Sequence, residues 1–292
     1  GAECEVRLGQ MWQSVSKWMW GIALPLVVLG VVLGNMRQGV PARRSCYLEN
    51  TKPYESPLPR PMLSRSRPVK PDWVRRWKRP FVRGVSLGMY FKTQDFDYDQ
   101  FLKDIKDLGA SHVGFVISWY QKNVRSGRIE RDAKKTVSDA RLIQTIHQAR
   151  ARGMQVFLLP IVRLRERGPD DWRGVIKPTV MSQWWRSYRN YILHYARLGR
   201  SHGVEIFSVG SELVSMEKYR QRWTSLIQAV RQIYNGMLIY SANWDHYEPV
   251  TFWDKLDYIG ISNYYELGKK DLPFVSDLKR TWTRIRQKIE RW

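Results

Sequence analysis

The chain has 292 residues and a formal net charge of +22, from 49 Lys and Arg against 27 Asp and Glu. This length accommodates one barrel-sized domain or two smaller ones. There are two cysteines, Cys4 and Cys46, which excludes a disulfide framework after residue 46, and the five histidines are scattered without zinc-site spacing. We therefore expect neither a metal ion nor a cofactor.

The N-terminal region predicts a membrane anchor. Residues 18–33 read WMWGIALPLVVLGVVL without a charge, and extension to residue 36 gives 19 residues, close to the ~20 that a helix needs to cross a bilayer. A cleaved signal peptide is the alternative, but no small-x-small cleavage site follows the apolar run directly. We predict that residues 1–36 form a tail and an uncleaved transmembrane helix; because Met11 is a natural initiator, whether residues 1–10 are native stays open.

Residues 37–80 predict a basic, proline-rich linker. Residues 37–83 contain 13 Lys and Arg against three acidic residues, together with eight prolines. This composition favours an extended chain that contacts an anionic surface. No helix-turn-helix, zinc-finger or RNA-binding signature accompanies the charge, so we expect no specific nucleic-acid partner.

From residue 81 onward, short apolar strands alternate with amphipathic helices, as βα units require. The pattern predicts strands at residues 82–87, 112–118, 155–161, 206–209, 237–241 and 258–262. A doubly wound open sheet is the alternative, but the glycine-rich phosphate loop of that class is missing after the first strand. We therefore predict that residues 81–292 form an incomplete (β/α)8 TIM barrel with about six βα units, preceded by the N-terminal transmembrane helix.

Glu212 is the candidate catalytic residue. It lies in the turn that follows the fourth predicted strand, in the stretch VEIFSVGSELVSM at residues 204–216. The carboxyl ends of barrel strands form the active-site face, where a glutamate on a rigid strand end can act as a general acid. The alternatives are a solvated turn residue or an acidic group stabilised by a helix dipole.

Several motifs in this region occur together and in order. They are RGVSLGMYFK, WRGVIKP, SYRNYILHYARL, FSVGSELVSMEKYRQRW, YSANWDHYE and FWDKLDYIGISNYYEL. With them, residues 81–292 resemble glycoside hydrolase family 113, a family of retaining (β/α)8 enzymes best known as β-mannanases. The resemblance implies a β-linked polysaccharide or oligosaccharide substrate, such as β-1,4-mannan.

The resemblance also implies residue roles. In this clan the acid/base follows strand four, which assigns it to Glu212; the residue before it is commonly Asn, whereas this chain has Ser211. The nucleophile belongs at the end of strand seven, which we expect beyond residue 292. Glu266, just past the sixth predicted strand, is an alternative candidate for the nucleophile. Its position is more typical of an ordinary loop carboxylate.

Other residues at the predicted strand ends are candidate sugar contacts. An aromatic ring there can stack on a sugar or simply pack at the barrel rim. Trp172, for instance, can anchor its own loop, and Trp119 can cap the barrel core. Besides Ser211, the candidates are Tyr90, Lys92, Trp119, Tyr120, Trp172, Asn243, Trp244, Asn263 and Tyr264.

Two functions from different classes stay open. The first is a membrane-anchored retaining glycosidase whose barrel is extracytoplasmic, either periplasmic or extracellular. The second is a non-catalytic glycan-binding protein of the cell envelope on a TIM-barrel scaffold. The basic linker favours a cytoplasmic barrel by the positive-inside rule, but long domains translocate largely regardless of such charge. Because a polysaccharide hydrolase has little use for a cytoplasmic position, we predict that the barrel lies outside the cytoplasm.

Overall fold

The structure is a computed structural model that describes residues 82–90, 96–268 and 274–292. The predicted anchor and linker lie outside these residues, as does Lys92. In the described ranges, no helix is long and apolar enough to span a membrane.

Six parallel strands form one sheet in the order β1-β2-β4-β5-β6-β7. Their consecutive parallel pairing is that of an open βα barrel, and it confirms the predicted alternation of strands and helices. The strands are β1 Gly84–Gly88, β2 His112–Gln121, β4 Gln155–Leu164, β5 Ile206–Ser211, β6 Met237–Asn243 and β7 Tyr258–Ser262. The two-residue β3, Ile129–Glu130, pairs antiparallel with the end of β2 and was not predicted.

In the part of the chain that the structure describes, five helices pack around the sheet. They are α1 Asp99–Asp107, α2 Asp139–Ala151, α3 Met181–Ser201, α4 Arg220–Arg231 and α5 Val275–Arg291. The Ser138 side chain begins α2 by accepting a hydrogen bond from the Arg141 amide at 3.2 Å. Gly153 follows the same helix with φ of +70°, a left-handed conformation that glycine adopts without strain and that ends a helix. Short 3-10 turns lie at Arg173–Val175, Val214–Met216 and Trp253–Lys255.

The core has two parts because successive strand side chains point to opposite faces. In β4, Val156, Leu158 and Val162 pack with the helices in the larger cluster. Phe157 and Leu159 instead belong to a smaller cluster built from strand residues, which marks the inner face of the barrel. Side chains further along the inner face therefore point toward the carboxyl-end opening, where the candidate site lies.

Candidate active site

A β-bulge at the end of β5 sets the direction of the Glu212 side chain. The pairing of β5 with β6 shifts register between Ser208 and Ser211, and bulges of this kind re-aim side chains near active sites. Glu212 then adopts φ of 52°, and it is the non-glycine residue with positive φ in the described part of the chain. Its amide donates to the Ser241 carbonyl at 2.8 Å, which fixes the turn on β6. A left-handed non-glycine residue costs ~1–3 kcal/mol, and such strain clusters at functional sites.

Glu212 is paired with an arginine that the sequence analysis did not single out. Arg173 Nη2 donates to Glu212 Oε2 at 2.6 Å, and the Glu212 side chain is only 9% exposed. Arg173 stands on the 3-10 turn after β4, and the Ser215 hydroxyl ties that segment to the β5 turn by donating to the Ile176 carbonyl at 2.6 Å. The charged pair is therefore held by two loops that contact each other. Arg173 lies within the motif WRGVIKP, directly after the candidate Trp172.

A second buried carboxylate supports the same turn. Glu217 is 1% exposed, and it accepts hydrogen bonds from Tyr240 Oη at 2.6 Å and from His246 Nδ1 at 2.8 Å. Tyr240 Oη in turn accepts the Leu213 amide at 2.8 Å, next to Glu212 in the chain. Burial raises the pKa of Glu217, while the hydrogen bonds from Tyr240 and His246 oppose that shift. No local sequence signal joins these residues, because they come from three separate segments.

Tyrosines and an arginine line the opening around the Glu212–Arg173 pair. Arg163, near the end of β4, lies over the Tyr90 ring with 4.8 Å between guanidinium carbon and ring centroid. Burial raises the pKa of Tyr120, and the nearby Arg163 guanidinium opposes the shift. Burial and the Glu212 carboxylate raise the pKa of Tyr264, against the Arg173 charge, so Tyr264 lies within electrostatic range of the pair. The structure thus brings Tyr90, Tyr120 and Tyr264 to one opening, as the strand-end rule predicts.

Trp119 is not at this opening. Its indole stacks on Tyr191 of α3 with centroids 4.9 Å apart, and its Nε1 donates to Tyr195 Oη at 3.0 Å. Because β2 continues to Gln121, Trp119 and Tyr120 are consecutive strand residues that face opposite sides of the sheet. Trp119 therefore packs against the helical layer and does not face the barrel interior. Of the two roles considered for it, packing is the one that fits its position.

The remaining candidates occupy the strand ends with mixed contacts. Trp172 folds over Gly174 so closely that a Cβ there would lie 2.2 Å from the indole, a packing that only glycine permits. The ring of Trp244, after β6, packs edge-on against Tyr265 at 5.1 Å. Asn243 donates to Asp245, its neighbour two residues on. The indole rings of Trp172 and Trp244 thus have intramolecular partners.

Two polar atoms near the site lack partners in the described part of the chain. Arg173 Nε and Asn263 Oδ1 are buried and have no hydrogen-bond partner there. Ser211, the residue before Glu212, is 4% exposed at the end of β5. Across the described ranges, no cluster of three or more His, Cys, Asp and Glu has the arrangement of a metal site. The chemistry available here is that of a carboxylate, an arginine and hydroxyl groups.

A strand-end glutamate in a parallel βα barrel, with arginine and tyrosine side chains around it, fits the class of barrel-type glycoside hydrolases. The model of Glycoside Hydrolase Family 113 matches residues 86–292. The chain belongs to this family of glycosidases. The family resemblance read from the sequence motifs is thereby confirmed.

Solved structures agree with the family. A GH113 β-1,4-mannanase, in a complex structure, shares 25% identity with a TM-score of 0.62 over 73% of this chain and 69% of its own. The GH113 β-mannanase AaManA from Alicyclobacillus acidocaldarius, in complex with ManMIm, shares 27% identity with a TM-score of 0.60 over 70% of this chain and 68% of its own. No curated protein matches the sequence.

Proposed function

We propose that this protein is a retaining glycosidase that cleaves β-linked polysaccharides or oligosaccharides of the β-1,4-mannan type, with Glu212 as the general acid/base. The observation that carries the proposal is the left-handed, largely buried Glu212 at the carboxyl end of β5, paired with Arg173. The mannan assignment draws on the β-mannanases of the same family to which the chain is similar.

The proposed chemistry uses Glu212 twice. In its protonated form it gives a proton to the departing glycosidic oxygen, and as a carboxylate it later takes a proton from the attacking water. Arg173 holds Oε2 at 2.6 Å, so it orients the carboxylate for the second step. For the first step the protonated carboxyl must face the glycosidic oxygen, so we propose that substrate loosens this ion pair.

The unpartnered atoms of the site suit a sugar. Arg173 Nε is a donor and Asn263 Oδ1 is an acceptor, and both are buried without a partner among the described residues. A hydroxyl group both donates and accepts, so neighbouring sugar hydroxyls satisfy such a pair of atoms. Tyr90 and Tyr264 add ring faces at the same opening, on which a sugar ring can stack.

A retaining mechanism needs a second carboxylate ~5–5.5 Å from the first. Glu217 is close enough for its charge to interact with Glu212, but Tyr240 and His246 already hold its two oxygens in the interior. Glu266 is exposed in the segment after β7, which is the sixth parallel strand of the barrel and not its seventh. We therefore propose that the nucleophile lies outside the residues that the structure describes.

The test uses the full-length enzyme with β-1,4-mannan and with a dinitrophenyl glycoside. Glu212→Gln should lower the rate on mannan by ~10²–10⁴-fold, because the poor leaving group needs a proton. Formation of the glycosyl-enzyme from the dinitrophenyl substrate should change far less, since that leaving group departs as an anion. Glu266→Gln is the matched control and should keep its rate on both substrates. Equal activity of Glu212→Gln and wild type on mannan would remove Glu212 from this role.

A second candidate function is glycan binding without hydrolysis. The observation that favours it is Ser211, which stands where the clan commonly has an Asn before the acid/base. In that case the full-length protein retains mannan oligosaccharides in a binding assay, and wild type and Glu212→Gln release no product. Detectable turnover by wild type that is lost in Glu212→Gln decides for the enzyme.

For the location we propose a membrane-anchored protein with its barrel outside the cytoplasm. The support is the uncharged segment at residues 18–33 and the extracytoplasmic position that a polysaccharide substrate requires. The basic linker offers contact with an anionic surface. Alkaline phosphatase fused after Trp292 should be active, whereas a fluorescent protein that folds only in the cytoplasm should stay dark. A bright fusion would place the barrel inside.

A further inference from the structure

A cationic groove of about 510 Å³ lies between α3 and α4 on the outer layer of the barrel. Three exposed arginines line it, namely Arg186 and Arg189 from α3 and Arg222 from α4. The other lining groups include the side chains of Ser182 and Gln221, which can donate hydrogen bonds. The groove is separate from the Glu212 opening, because these residues face away from the sheet.

Neither helix contains a carboxylate that could neutralise this charge. The sequences of α3, MSQWWRSYRNYILHYARLGRS, and α4, RQRWTSLIQAVR, carry seven arginines and no Asp or Glu. Arg220 and Arg231 of α4 pair with Asp254 and Asp257, which lie outside the groove. Within the described ranges, the groove arginines form no ion pair, and Arg189 makes a single 3.4 Å contact with the Ser225 carbonyl.

A buried indole of α3 adjoins the groove. Trp185 of α3 is 5% exposed and lines the groove, and its Nε1 has no hydrogen-bond acceptor among the described residues. This N–H is closed to solvent, so the Trp185 indole can report on the groove without contacting a bound ligand. By contrast, the neighbouring Trp184 and Trp223 donate to Gln121 Oε1 and to the Met216 carbonyl, both at 2.9 Å.

The backbone dipoles of α3 and α4 also favour an anion in the groove. Ser182 and Trp185 belong to the first turns of α3, and Gln221 and Arg222 to the first turn of α4. Both helices connect parallel strands and so run in the same direction. Two positive dipole ends therefore lie beside the arginines, and helix N-termini favour phosphate groups.

We propose that this groove is a second binding site, specific for a phosphate group. Guanidinium groups bind phosphate oxygens in a bidentate manner, and the Ser182 hydroxyl and the Gln221 amide supply further donors to a ligand that only accepts. The ligand is a soluble phosphate ester or the headgroup of an anionic phospholipid, which share this chemistry. The site is independent of the glycosidase reaction, so it stands whether or not Glu212 is the acid/base.

The experiment reads the Trp185 indole resonance in the full-length protein, labelled with ¹⁵N-tryptophan in a neutral detergent. Trp185→Phe identifies that resonance. Inorganic phosphate, titrated at constant ionic strength with chloride, should shift it in a saturable manner. Unshifted resonances of Trp244 and Trp253, which do not contact Trp185, show that the fold is kept in every variant.

Two triple variants of equal charge separate the groove from the overall charge of the chain. In the first, the three groove arginines become glutamine, and binding of phosphate should weaken at least ~10-fold because charge-assisted contacts are lost. In the second, three exposed arginines elsewhere become glutamine, and the affinity should match wild type; these are Arg197, Arg284 and Arg291.

Two kinds of vesicle distinguish a lipid headgroup from a soluble phosphate ester. One kind contains phosphatidylglycerol, and the other contains only phosphatidylcholine. A shift of the Trp185 resonance by phosphatidylglycerol at a lower phosphate concentration than inorganic phosphate assigns the lipid headgroup. A shift by inorganic phosphate alone assigns a soluble phosphate ester. Absence of a saturable shift with either probe overturns the proposal, as does equal weakening in both triple variants.

Discussion

Removal of the Tyr240 hydroxyl tests whether the network behind Glu212 holds the turn. Tyr240→Phe deletes one atom that is wholly buried, and two contacts disappear with it. The Leu213 amide loses its acceptor at 2.8 Å, and Glu217 loses a donor at 2.6 Å. The ring keeps its packing against Trp223 and Phe252, so no cavity of ring size is created.

The magnitude follows from these two contacts. A buried amide without an acceptor costs ~1–3 kcal/mol, and a hydrogen bond to a charged group contributes ~1.5–3 kcal/mol. We therefore expect Tyr240→Phe to lower the free energy of unfolding by ~3–5 kcal/mol. Tyr234→Phe is the matched control, because the Tyr234 hydroxyl is also buried but makes a single bond of 2.9 Å to the Val204 carbonyl. Its cost should be ~1 kcal/mol.

The loss should also depend on pH. Burial raises the pKa of Glu217, so the folded state binds its proton more tightly than the unfolded state, and this residue's contribution to stability falls as pH rises above the usual carboxyl range. The Tyr240 hydrogen bond opposes the pKa shift, so its removal makes ionised Glu217 more costly. Tyr240→Phe should therefore destabilise the protein more at pH 8 than at pH 4.

Urea unfolding of the full-length protein at both pH values measures these differences, with the slope of the transition compared among wild type and the two variants. Activity on mannan should fall in Tyr240→Phe, because Leu213 adjoins Glu212. The reasoning is refuted if Tyr240→Phe costs no more than Tyr234→Phe, or if its cost is larger at the acidic pH.

Three further predictions concern the site and its surroundings. Arg173→Gln should lower kcat/KM on mannan by ~10–100-fold, because a charged hydrogen bond to Glu212 is lost. An unchanged kcat/KM contradicts the role of Arg173 in orienting Glu212. Trp119→Ala should destabilise the fold by ~3 kcal/mol while the folded fraction keeps its activity; loss of activity without loss of stability would place Trp119 at the substrate. Hydrogen bonding from Arg220 lowers the pKa of Asp254 to about 2, so Asp254→Asn should reduce stability at neutral pH by an amount that vanishes as pH falls toward that value. Because this pair is half exposed, thermal melts should show a loss below ~1 kcal/mol that shrinks in high salt.

The sequence by itself determined the order of strands and helices. Buried parallel strands are continuous apolar runs, and amphipathic helices between them repeat every 3.6 residues, so five of the six strand starts coincide with the structure. The strand-end rule also selected Glu212, Tyr90, Tyr120 and Tyr264, because parallel strands bring their carboxyl ends to one face. The family followed from motifs, which are local in the chain.

Tertiary structure decided which of those candidates face the interior. The predicted end of β2 at residue 118 left Trp119 and Tyr120 equivalent, whereas continuation of the strand to Gln121 sends them to opposite faces. The same parity brings Arg163 of β4 inward, beside Tyr90. A local pattern cannot show the last paired residue of a strand, because pairing depends on the neighbouring strand.

The partners of Glu212 were likewise decided only by the fold. Arg173 comes from the segment after β4, 39 positions earlier in the chain, and the register shift in β5 directs the carboxylate toward it. Glu217, Tyr240 and His246 meet because β6 lies beside β5 and hydrogen-bonding groups buried there require partners. Sequence periodicity indicates which face each residue prefers. An ion pair between distant segments, however, forms only when strand pairing brings the two side chains together and burial removes them from water.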